Sequence, residues 1–306
     1  MPCPAVNALL DYHDKQSPDH AIAALAKGFR KPGVLKLQPE LTMNLKLENK
    51  TALVTGSSAG IGFAIANSLA AEGARVVVNG RTKARVTAAI KLIRKSHPNA
   101  KVESLVADLA QAQAAAGTIR RFRAVDILVN NLGTYEPRPF EQITDAEWRA
   151  IIETNFMSGV RLSRHYLPRM KATGWGRIIF ISSESAVNIA VEMIHYGVTK
   201  TMQVALARGL AETTAGTGVT VNSVLAGPTR SEGVEKFIVD LARTNGITPT
   251  EVEKQFFHSA RPSSLLQRFA TTDEVAALVA FVASPLSSAT NGAALRVEGG
   301  VVRSIL

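Results

Sequence analysis

From residue 50 onward, seven short runs rich in aliphatic and β-branched residues recur, at 51–54, 74–78, 102–107, 127–130, 176–182, 219–225 and 294–297. Helical patterns fill the intervals. In the first interval Ile61, Ile65 and Leu69 repeat every four residues and define one buried stripe of a helix. Strands without a polar face need cover on both sides, which a parallel sheet receives from its helical crossovers. The expectation is therefore one α/β domain, a doubly wound parallel sheet of about seven strands flanked by helices.

Residues 1–42 read differently. They carry prolines at 2, 4, 18, 32 and 39 and one weak helical stretch at 21–27, and the apolar rhythm becomes regular only at Leu45. We expect residues 1–42 to be a loosely ordered extension or an upstream addition, with Met43 the functional start and 43–306 a single domain. No cationic start followed by an apolar stretch and a small-residue cleavage site is present, and Asp11, Asp14 and Asp19 argue against an organellar transit peptide. A cytoplasmic location is the expectation. The single cysteine, Cys3, excludes an internal disulfide framework and a multi-cysteine zinc site. No apolar run approaches the roughly 20 residues of a membrane span, so no membrane partner is expected. The net charge of +10 is explained by phosphate-bearing ligands or a solvated basic surface as well as by nucleic acid, and no nucleic-acid module is recognisable.

Between the first strand and its helix lies Thr55-Gly56-Ser57-Ser58-Ala59-Gly60-Ile61-Gly62. Glycines at Gly56, Gly60 and Gly62 permit a sharp turn, a close approach to a pyrophosphate and tight helix–strand packing. The helix start offers free N–H groups and a positive dipole end, with Ser57, Ser58 and Ile61 on the cradle. A strand before the glycines and a helix after them is the context that gives such a triplet meaning. The fold expected is accordingly Rossmann-like. At the end of the second strand stands Asn79-Gly80-Arg81, with no carboxylate for a ribose 2′-hydroxyl and a guanidinium suited to a 2′-phosphate. NADP(H) is favoured over NAD(H).

With Tyr196-Gly197-Val198-Thr199-Lys200 added, the pattern over about residues 45–306 resembles the short-chain dehydrogenase/reductase family in its compact single-domain form. The motifs in family order are the glycine turn, Asp108-Leu109, Asn130-Asn131-Leu132-Gly133, Asn155, Ser183, Tyr196 with Lys200, and Gly227-Pro228-Thr229. The resemblance implies that Asp108 and Leu109 line an adenine pocket, that Asn131 and Gly133 lie beside the adenosine ribose, that Asn130 holds neighbouring strands and that Thr229 meets the nicotinamide carboxamide. Leu132 stands where the family usually has alanine, Ala226 replaces a common proline, and Ala59 replaces a basic residue of many NADP-preferring members. Arg81 must then hold the 2′-phosphate with less help.

Tyr196 and Lys200, four residues apart, share one helix face. A phenol is a poor base at neutral pH, and a nearby ammonium, with the positive nicotinamide ring of the oxidised cofactor, is expected to favour its ionised form. Tyr196 can then act as general acid toward a carbonyl oxygen or general base toward an alcohol. By resemblance Lys200 also binds the nicotinamide ribose, and Asn155 kinks its helix and positions a water linking Lys200 to solvent. Ser183, thirteen residues before Tyr196, is preferred over Ser182 for holding the substrate oxygen. His165 and His195 lack a second ligand pattern, so no metal site is expected. The Ser183, Glu192 and His195 grouping lacks a nucleophile-elbow motif.

Between Thr229 and Thr272 a long insertion carries Val234, Phe237, Ile238, Leu241, Phe256, Phe257, Leu265 and Leu266, suited to a lid over the strand ends or to packing two small helices onto the domain. The function expected is an NADP(H)-dependent oxidoreductase interconverting a small-molecule carbonyl and alcohol. The alternative is a nucleotide-binding regulatory protein of the same fold. By resemblance, a homotetramer or homodimer is expected, with apolar residues at 295–306 compatible with a subunit contact.

Overall fold

The computed structural model describes residues 43–305, so the expectations for residues 1–42 lie outside the described residues. Residues Asn44–Leu306 group as one unit. The seven expected runs form one parallel sheet. Its strands are β1 (Thr51–Val54), β2 (Arg75–Gly80), β3 (Val102–Val106), β4 (Ile127–Asn130), β5 (Gly176–Ser183), β6 (Val219–Ala226) and β9 (Ala294–Val297), in the order β3-β2-β1-β4-β5-β6-β9. All its pairings are parallel. The order reverses between β1 and β4, which opens a crevice beyond the carboxyl ends of those two strands.

The alternation of side chains shows why the strands are apolar on both faces. Ala52, Val54, Val76, Val78, Ile127 and Val129 pack on one side with Ile65 and Leu69 of α1 (Gly60–Ala71) and Val275 and Val279 of α9 (Thr272–Ala283). Leu53, Val77 and Leu128 point to the other side, against Leu162 and Tyr166 of α5 (Ser158–Thr173) and Ala207 of α6 (Ile194–Glu212). Most of these side chains are wholly buried, and each contributes roughly 1.5–3 kcal/mol of hydrophobic stabilisation when it is a Val, Leu or Ile. The remaining crossovers are α2 (Lys83–Ser96), α3 (Ala112–Arg121) and α4 (Asp145–Ile152).

The insertion forms α7 (Glu232–Asn245) and α8 (Pro249–Ser259), flanked by a two-stranded sheet of β7 (Thr229–Arg230) and β8 (Ala270–Thr271). Two-residue strands have no periodicity, so the sequence pattern carries no sign of them. Ser231 caps α7, whose last turn closes on Gly246 in the left-handed region, and Thr248 with Glu251 forms a capping box on α8. Ile238, Ala242, Val252, Phe257 and Phe269 make a small core of their own, distinct from the two that flank the sheet.

Candidate active site

The turn after β1 is held by side chains that point inward. Ser57 is wholly buried; its hydroxyl donates to the Val54 carbonyl at 2.7 Å and accepts from the Asn79 N–H at 2.9 Å. Asn79 accepts from the Gly56 N–H at 2.9 Å and donates to the carbonyls of Leu105 and Ala107 at 3.1 Å each. Asn131 donates to the carbonyls of Thr55 at 2.8 Å and Gly56 at 3.1 Å, so its amide fixes the turn itself. A Cβ on Gly62 would stand 2.4 Å from Asn131 Nδ2 and 2.5 Å from the Gly56 carbonyl, and Gly56 has φ +61°. α1 begins without a side-chain cap, which leaves its first amides to a ligand. This is the cradle that a pyrophosphate requires, and the residues present fit one.

Around it the other nucleotide candidates divide. Ser58 is partly exposed and Arg81 exposed just past β2. Asp108 is partly exposed, its carboxylate accepting from the Ala110 N–H at 3.2 Å. The Leu109 side chain, in contrast, is turned into the core with Leu53 and Leu105, so only its backbone faces a nucleotide. Asn130 donates to the Ser163 hydroxyl of α5 at 3.2 Å and thus ties a strand to a helix, not to a neighbouring strand as expected. Thr229 is buried, its hydroxyl donating to the Gly227 carbonyl at 2.9 Å. Ile61 packs on the sheet core. A Cβ on Gly60 would lie 3.5 Å from Ser231, so the insertion begins directly over the turn.

β5 and α6 bring Ser183, Tyr196 and Lys200 together. The two serines separate by role. Ser182 donates to the Lys200 backbone carbonyl at 2.9 Å, whereas the Ser183 hydroxyl lies beside the phenol of Tyr196. The Lys200 ammonium sits over the Tyr196 ring, 5.5 Å from its centroid, and donates to the Ile181 carbonyl at 2.8 Å and to Gln203 Oε1 at 3.3 Å. Gly133 leaves room there, since a Cβ on it would be 3.5 Å from Lys200 Nζ.

Burial pushes the Tyr196 phenol up to about 12; the Ser183 hydroxyl and Arg261 draw it down, and Glu184 and Tyr135 add to the rise. Burial lowers Lys200 to about 8. Desolvation therefore dominates at both groups, and Tyr196 rests as the neutral phenol, the form that donates a proton.

Asn155 lies at the centre of a π turn, Glu153–Met157, between α4 and α5. Its side chain accepts from the Thr134 N–H at 2.8 Å and donates to the Thr134 carbonyl at 2.9 Å and the Thr199 hydroxyl at 3.1 Å. Its main-chain carbonyl accepts from Gln203 Nε2. The amide of Gln203 joins the Asn155 carbonyl to the Lys200 ammonium. Sequence reasoning missed Gln203, although its spacing from Lys200 puts both on one helix face.

It also missed a buried ion pair beside Ser183. Arg261, in the segment after α8, donates through Nε to Glu184 at 2.8 Å and through Nη1 to Glu192 at 3.3 Å. Partners this far apart in sequence leave no local signal. His195 is buried edge-to-face against Trp148, with ring centroids 6.0 Å apart. Among the described residues no cluster of three or more His, Cys, Asp or Glu could hold a metal ion, and no helix is long and apolar enough to cross a membrane.

Comparison with known proteins bears on this geometry directly. The short chain dehydrogenase family profile matches residues 50–240, from β1 through the Tyr196–Lys200 helix into α7. The chain belongs to the short-chain dehydrogenase/reductase family. It is an oxidoreductase of that family, 48% identical over 263 residues to the uncharacterized oxidoreductase YvaG of Bacillus subtilis (strain 168), covering 86% of this chain and 100% of that one. A D-beta-hydroxybutyrate dehydrogenase of Cupriavidus necator is 34% identical, covering 84% of this chain and 99% of its own length. Among solved structures, the L-sorbose reductase of Gluconobacter frateurii, complexed with NADPH and L-sorbose, superposes with a TM-score of 0.80 at 28% identity, over 86% of this chain and 100% of that one. This short-chain dehydrogenase/reductase is thus matched along its whole described catalytic unit.

Proposed function

We propose that this protein is an NADP(H)-dependent oxidoreductase that interconverts a small-molecule carbonyl and its alcohol, with residues 43–306 as a single catalytic domain. The observation that carries the reading is the convergence of Ser183, Tyr196 and Lys200 at the carboxyl edge of β5, beside the glycine turn at the point where the sheet order reverses. The NADPH-bound solved relative supports the coenzyme class. Gly56, Ser57, Ser58, Gly60, Ile61 and Gly62 would hold the pyrophosphate, Asp108, the Leu109 backbone, Asn131 and Gly133 the adenosine side, and Thr229 the carboxamide. Arg81, with no carboxylate near it at the end of β2, would hold the 2′-phosphate and favour NADP(H) over NAD(H).

A bound nicotinamide supplies or accepts the hydride. The chain supplies the rest. Ser183 donates a hydrogen bond to the substrate oxygen, keeping its own proton, and steadies charge developing there. Tyr196 gives its phenolic proton to that same oxygen during reduction, and takes one back during oxidation. Lys200 keeps a positive charge under the phenol as the proton leaves. Asn155 anchors the π turn against which α6 packs. Because the resting form is the neutral phenol, reduction proceeds at neutral pH, while oxidation accelerates toward alkaline pH as the phenolate becomes accessible. A homodimer or homotetramer in the cytoplasm is part of the same proposal.

The test is a panel of ketones, ketoses and 3-oxo acids followed by NADPH absorbance, with NADH in parallel. Tyr196→Phe should reduce turnover at least about 100-fold while NADPH affinity changes less than about threefold. Retained turnover in that variant refutes the assignment of Tyr196, and a preference for NADH refutes the role of Arg81.

A further inference from the structure

Gln203 is 1% exposed and lies three residues beyond Lys200 on α6, where the proposed reaction gives it no part. A primary amide buried this deeply is costly unless both its oxygen and its nitrogen are matched. Here the partners dictate its orientation. An ammonium can only donate and a carbonyl can only accept, so Oε1 must face Lys200 Nζ, at 3.3 Å, and Nε2 must face the Asn155 carbonyl. That carbonyl belongs to a π turn, where main-chain groups leave the regular helical ladder and need partners from elsewhere. The circuit closes through the side chain of Asn155, which bonds Thr199, whose hydroxyl donates to the Tyr196 carbonyl at 2.8 Å.

We propose that Gln203 is a positioning residue for the reaction: its amide pins the Lys200 ammonium to the π turn at Asn155 and so fixes where the positive charge sits beneath Tyr196. The inference rests on the proposed carbonyl–alcohol function, but it concerns a contact that can be read without substrate. A neutral amide suits the place. It gives the ammonium an acceptor without adding a counter-charge that would offset the positive charge beneath Tyr196. Lys200 faces the ring of Tyr196 on the same helix, and the titratable or charged groups that act on that phenol are Glu184 after β5, Tyr135 after β4 and Arg261 after α8. Lys200 owes its depressed pKa to burial rather than to any of them, and the acidic residue of the π turn, Glu153, pairs with Arg161 instead.

The experiment titrates the ε-carbon resonance of Lys200 in protein labelled with 13C-lysine, the resonance being assigned by its loss in Lys200→Arg. Gln203→Glu places a carboxylate against the ammonium and should raise the lysine midpoint by at least about one pH unit. Gln203→Met keeps the volume without either bond and should lower the midpoint. It should also reduce turnover about tenfold or more and leave NADPH affinity within about threefold. An unmoved midpoint in folded Gln203→Glu overturns the proposal even if the enzyme is a carbonyl reductase. A moved midpoint in a protein without carbonyl or alcohol turnover upholds the contact and refutes the functional reading instead. Should both variants fail to fold, the unmutated protein still decides. Its Gln203 side-chain amide protons should exchange with solvent at least about 100-fold more slowly than those of exposed glutamines, and exchange at the exposed rate overturns the proposal.

Discussion

At the turn after β1 the polar side chains of Ser57, Asn79 and Asn131 bond inward to backbone, and a Cβ on Gly62 has no room. Across the cleft, α7 and α8 rest on five buried apolar residues of their own and show solvent Phe237, 55% exposed, and a nearby Leu265, 85% exposed. The ion pair of Arg85 with Glu232, at 2.7 Å, joins side chains that are more than half exposed and contributes little to stability. One wall of the cleft is thus defined by backbone that admits no added atom. The other is defined by replaceable side chains. A nucleotide is the same molecule in every turnover and suits the first wall; substrate selection belongs to the second.

The sharpest way to break this contrast is Gly62→Ala. The new methyl meets Asn131 Nδ2 and the Gly56 carbonyl, and the carbonyl is backbone that cannot swing away. We expect a loss of about 2–4 kcal/mol of stability and of more than about 100-fold in NADPH affinity, read by thermal melting and by cofactor titration. Near-native affinity in this variant would mean that the turn is more pliant than its packing implies. The lid gives the complementary test. Phe257→Ala removes a side chain buried among Phe256, Phe269, Ile238 and Val252. The local cost is about 3–5 kcal/mol. Because that core is separate, amide exchange in α7 and α8 should quicken and substrate KM should rise at least about fivefold, with NADPH affinity within about twofold. An equal loss on both sides of the cleft would erase the distinction.

A smaller effect probes the helix between the two walls. Lys200 titrates near 8 in the folded chain, against an ordinary 10.5. Between those values the unfolded chain binds the additional proton, so the lysine's cost to stability is full below pH 8 and is relieved as pH rises toward 10.5. Lys200→Met escapes that cost. Its stability advantage over the parent should shrink by about 3 kcal/mol across that window in urea unfolding. A constant difference from pH 7 to 10.5 would show that the lysine is solvated. Tyr196 acts oppositely at higher pH: its raised phenol keeps its proton in the folded chain, so its contribution falls as pH climbs from 10 toward 12.

All seven strands of the large sheet were legible in the sequence, because a strand covered on both faces must be apolar throughout, and the structure moves their ends by only a residue or two. The glycine turn, Ser183, Tyr196 and Lys200 were legible for a related reason: each motif lies within one short segment. What stayed hidden depends on distance through space. Nothing near Glu184 announces Arg261, and nothing near Leu109 says that its side chain turns inward and leaves only backbone toward a nucleotide. The depth of apolar cover over Tyr196 and Lys200 was hidden as well, because a neighbour in sequence is visible as a charge while burial is not. Gln203 carried the right spacing, but its partner is a main-chain carbonyl freed by a π turn, and a backbone irregularity has no letter of its own.

Tyr196, Lys200 and Gln203 are all borne on α6, a single rod of 19 residues. The spacing of their Cα positions is set by helical pitch, so the backbone carries the three as a unit. Any opening or closing of the catalytic chamber must come from the wall that faces them. The chemistry of this chain is in that sense timed by parts that take no share in it.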